Sequence, residues 1–113
     1  MSRRASGLKA WAVQRATAVY LAGFSLYLVL HLFLAPPVDY LAWRDWVAGP
    51  AVSVAFLLFV PALLAHAWVG IRDVLIDYVK PIGVRVSLIA LLAFALVASG
   101  LWALQALFLL RMG

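Results

Sequence analysis

Uncharged apolar residues run in three long blocks along the chain, and the polar residues gather ahead of them or between them. Ala16 to Ala35 makes the first block, 20 residues without a formal charge. At about 1.5 Å per residue, a helix of that length covers roughly 30 Å, one hydrocarbon core. Pro36-Pro37 closes it. The second block, Ala51 to Ile71, opens after Gly49-Pro50, where a proline at a helix start loses nothing by lacking an N–H. Pro61 interrupts its hydrogen bonding, and the helix is expected to continue to about Tyr78, because Pro81 is the next strong stop. The third block, Val86 to Leu110, has 25 uncharged residues. That is about 37 Å if straight, so this helix must tilt or protrude. The pattern predicts an all-α membrane protein with three transmembrane helices, about 16–35, 51–78 and 86–110. Residues 1–15 form a basic arm, and residues 16–113 a three-helix anchor domain.

Composition removes the soluble alternative. Of 113 residues, 68% are hydrophobic and only 12% charged, with a mean hydropathy of +1.10. A soluble chain this short could not hide so much apolar surface. There are no cysteines, which excludes disulfides, thiolate-bound zinc, cysteine-held iron–sulfur clusters and covalently attached haem within this chain. The net charge of +5 sits at the ends of the apolar blocks, so it reads as topological signalling and contact with lipid headgroups, not as nucleic-acid binding. Arg3, Arg4, Lys9 and Arg15 precede the first block, and Arg72, Lys80 and Arg85 follow the second. Arg44 alone stands in the first loop and Arg111 alone in the tail. Seven against two places the N-terminus and second loop inside and the C-terminus outside. The Arg3-Arg4 pair faintly resembles a twin-arginine signal, but the apolar block after it exceeds a signal peptide's short core, so a retained helix is expected.

Chemistry concentrates in Leu64–Pro81, LAHAWVGIRDVLIDYVKP. On a helix His66, Gly70, Asp73 and Asp77 share one stripe. An imidazole inside a membrane is a functional candidate; the plainer alternative is a neutral ring hydrogen-bonded to a neighbouring helix. His31, the other histidine, lies roughly 22 Å into the first helix, whereas His66 lies roughly 8 Å from the inner end of the second. Two rings about 15 Å apart in depth cannot share one iron. If His66 holds a haem, the opposite ligand comes from another protein. Gly70 leaves room for a flat macrocycle, or for plain helix packing. Arg15 is level with His66 and could pair with a propionate, or simply snorkel to the headgroups. Tyr78 and Asp77 stand where a lipid-soluble ligand meets protons, with an interfacial tyrosine beside a charged helix end as the alternative.

The segments His66-Ala67-Trp68-Val69-Gly70 and Asp77-Tyr78-Val79-Lys80-Pro81, with Arg15-Ala16-Thr17-Ala18 opening the first span, resemble the smaller hydrophobic membrane-anchor subunit of bacterial succinate dehydrogenase, respiratory complex II. The resemblance implies that His66 is an axial ligand of haem b, its counterpart coming from a companion membrane-anchor subunit. It implies that Arg15 contacts a propionate and that Tyr78, beside Asp77, hydrogen-bonds the quinone, ubiquinone or menaquinone. It further implies an iron–sulfur subunit and a flavoprotein as soluble partners, with flavin and clusters only on those, and the bacterial inner membrane as location. Arg72 and Asp73 depart from the family's uncharged residues, and contact with the iron–sulfur subunit is one role for them. His31 matches no motif and is read as structural.

The expected function is therefore that of a succinate–quinone oxidoreductase anchor with no activity alone. Two rivals are a haem-free structural anchor and a small proton or solute transporter. The second is weakened because every acidic residue lies outside the three charge-free blocks.

Overall fold

Residues 3–112 are described by a computed structural model, and they fold almost wholly into helix. Met1, Ser2 and Gly113, the ends of the expected basic arm and anchor domain, lie outside the described residues. Helix α1 spans Arg3–Leu34, α2 Tyr40–Ala48, α3 Pro50–Tyr78 and α4 Ile82–Met112. The described part of α1 from Gly7, together with α3 and α4, is long and apolar enough to cross a membrane. This is the predicted all-α membrane architecture. Its helices overrun the charge-free blocks, because backbone hydrogen bonding does not stop where the hydrocarbon does. α1 includes residues 3–15, and α4 begins at Ile82, directly after Pro81.

One element is new. The stretch between the first two apolar blocks, for which no helix was predicted, contains α2. Asp39 caps it, its side chain accepting from the Ala42 N–H at 2.8 Å. That bond satisfies an orphan donor of the first turn. Gly49 ends α2, and Pro50 starts α3 in the same step. α3 then runs unbroken through Pro61. Across the turn from α3 to α4, the Nε of Arg85, in the first turn of α4, donates to the Val79 carbonyl at 3.0 Å.

α3 is the central element. α1 and α4 each pack on it and, among the described residues, not on each other, while α2 touches α3 and α4. Phe24 of α1, buried, sets its ring edge-on to Phe56 of α3 at 5.1 Å. Such aromatic pairs add about 0.5–1.5 kcal/mol beyond their area. Tyr20 donates from its hydroxyl to the Ala55 carbonyl, a further tie between α1 and α3. On the other side Gly100 is buried against Leu64, and a Cβ there would run into Leu64 Cδ1. Small residues of this kind let membrane helices approach closely. Only Phe24, Val47 and Val69 are buried apolar side chains among those described. Most of the apolar surface thus faces outward, available to lipid or to another polypeptide.

Candidate functional site

The N-terminal half of α1 and the C-terminal half of α3 enclose a cleft of about 680 Å³, within the range of ligand pockets. Helical periodicity chooses its walls. Gly7, Ala10, Trp11, Gln14 and Ala18 fall on one face of α1, and His66, Val69 and Asp73 on one stripe of α3. Glycine and alanine keep the α1 wall low, and that opens the space. His66 and Arg15 both line this cleft, so the two residues that the sequence set at one level share one site.

His66 is half-buried, with its Nδ1 3.1 Å from the hydroxyl of Thr17 on α1. Arg15 is exposed, its guanidinium 5.8 Å from the Trp11 ring centroid. Among the described residues it forms no ion pair, whereas Arg72 and Asp73 at the cleft mouth pair with each other at 3.2 Å. Neighbouring exposed charges of this kind are worth about 0–1 kcal/mol, so the pair neutralises the rim without bracing it. Gly70 faces α1 one turn beyond His66. The Gln14 side chain lies over it, and a Cβ on Gly70 would sit 3.3 Å from Gln14 Nε2. Gln14 Oε1 is buried with no hydrogen-bond partner among the described residues.

Tyr78 and Asp77 are not brought to the cleft. They occupy the last turn of α3, both exposed, Tyr78 to 78%. His31 is at the other end of α1, stacked on Trp46. Among the described residues no three histidine, cysteine, aspartate or glutamate side chains converge to hold a metal ion.

Sequence reasoning missed Thr17 and Gln14. Each needs the register of α1 against α3, which one helix's periodicity does not contain.

The donor set suits a haem: one imidazole tied at a single nitrogen, one guanidinium without a carboxylate partner, and low walls of small residues. A family model described as "Succinate dehydrogenase/Fumarate reductase transmembrane subunit" matches residues 1–102. The chain is also similar to a protein of Coxiella burnetii named "Succinate dehydrogenase hydrophobic membrane anchor subunit". The two are 30% identical over 110 residues, covering 97% of this chain and 94% of the relative.

Proposed function

The chain belongs to the succinate dehydrogenase/fumarate reductase transmembrane-subunit family, and from that premise we propose that it supplies one axial ligand to a haem b. As a membrane anchor subunit of this oxidoreductase complex, it is a multi-pass membrane protein that works with flavoprotein and iron–sulfur partners. His66 is the ligand. The second imidazole belongs to a companion membrane anchor, because His31 is stacked at the opposite end of α1. Arg15 holds a propionate by charge-assisted hydrogen bonds. The haem, when bound, supplies a one-electron site within the membrane.

The observation that carries this reading is the pairing of His66 and Arg15 around one cleft, with the imidazole held by α1 through a single ring nitrogen. Tyr78 donates its hydroxyl proton to a quinone carbonyl, and Asp77 beside it orients the phenol or relays protons. Both stand exposed on α3's last turn, which fits a pocket shared with the iron–sulfur protein and the companion anchor. Ubiquinone and menaquinone both present such a carbonyl. The basic residues ahead of α1's apolar block and around the α3–α4 turn support an inward N-terminus, and the likeness to a bacterial relative supports the bacterial inner membrane as the location.

The test is haem quantification in a complex purified through this chain. One b-type haem per flavin is expected. A complex with flavin and clusters but no haem would leave only a tether, the haem-free reading.

A further inference from the structure

We propose that Thr17 is a positioning residue for His66: its hydroxyl fixes the ring proton on Nδ1 and so keeps Nε2 bare for iron. This rests on the reading of His66 as an axial ligand. A threonine hydroxyl has one proton to give and two lone pairs to offer. Thr17 Oγ1 lies 2.6 Å from the carbonyl oxygen of Val13, one turn back on α1, and 3.3 Å from that of Gln14. Its proton is therefore committed to the helix's own backbone, a common arrangement for threonine within helices.

Towards His66 Nδ1, 3.1 Å away, the same oxygen can then only accept. That requires the hydrogen to be on Nδ1. In a neutral imidazole the other nitrogen, Nε2, consequently carries the free lone pair, the form that binds a metal. Metal-binding histidines regularly donate their second N–H to an oxygen, which sets the ring's orientation and raises its basicity. Because the hydroxyl already donates to a carbonyl, it is polarised into a better acceptor. A residue 49 positions away on another helix thus sets the tautomer of the proposed ligand.

Two variants isolate the effect in the assembled complex. Thr17→Val keeps the branched shape and removes the acceptor, whereas Thr17→Ser keeps the acceptor. Transfer of haem from the complex to apomyoglobin should accelerate on the order of 10–100-fold in Thr17→Val. The paramagnetic resonance signal of its oxidised low-spin haem should shift, while Thr17→Ser stays near the unmodified chain in both. A valine variant with native release and an unshifted signal overturns the proposal. Should Thr17→Val not assemble, Thr17→Ala, a favourable helix residue, carries the same comparison with the same two outcomes. His66→Ala, measured alongside, separates the two failures. If it too leaves the haem signal untouched, His66 is no ligand and the underlying reading falls first.

Discussion

His31 and Trp46 lie face to face, their ring centroids 4.3 Å apart and their planes 4° from parallel. The stack joins α1 to α2, with Tyr27 against both rings. His31 is fourteen positions beyond Thr17, about 21 Å along α1, whereas His66 sits beside Thr17. The two histidines therefore serve opposite ends of the molecule. His31→Phe, which keeps a ring on Trp46, is expected to leave the haem spectrum unchanged. His31→Ala should cost about 0.5–1.5 kcal/mol, seen as a lower thermal midpoint of the purified complex with the same spectrum.

Gly100 and Leu64 meet where α4 packs on α3. A methyl on Gly100 would collide with Leu64 Cδ1, the tip of a side chain that can turn aside, so Gly100→Ala should destabilise the protein by about 1 kcal/mol, the low end of overpacking costs. Leu64→Ala in the same chain should recover part of that loss. A double-mutant cycle read from thermal midpoints checks this, with a coupling of about 0.5–3 kcal/mol expected. Strictly additive effects would show that the two side chains do not meet.

Tyr78 is exposed on α3's last turn, where removing its hydroxyl breaks no hydrogen bond to the described residues. If that hydroxyl holds quinone, Tyr78→Phe should slow quinone reduction about 2–10-fold, the worth of one neutral hydrogen bond. Succinate oxidation by artificial dyes should be unaffected. Equal loss of both activities would point to misassembly instead.

Arg15 lines the cleft without a carboxylate partner among the described residues. Arg15→Gln removes the charge and should weaken haem retention about tenfold or more, given about 1.5–3 kcal/mol for a hydrogen bond to a charged group. Arg15→Lys keeps the charge but loses the fork that matches a carboxylate, and should fall between. The rate of haem release from the purified complex decides the order.

The three spans were legible because each is a long charge-free apolar block bounded by prolines or by charged residues, a pattern that depends on no tertiary contact. α2 was harder. It lies between the apolar blocks and is too short to stand out by hydropathy, yet Asp39, placed to cap the Ala42 N–H, was a helix-start signal within view. The shared level of His66 and Arg15 followed from rise per residue and membrane thickness. What periodicity could not supply was the rotational register between helices. That register sets Thr17 against His66, lays Gln14 over Gly70, and leaves Tyr78 outside the cleft. Such facts belong to a pair of helices, and no single stretch of sequence encodes them.

The most direct measurement is the electron paramagnetic resonance spectrum of the oxidised complex, recorded with the native chain and with His66→Ala. Ligation by His66 predicts a low-spin haem in the native complex, and its loss or conversion to high spin in the variant with flavin content unchanged. An identical low-spin signal in both would show that the iron takes its ligands elsewhere.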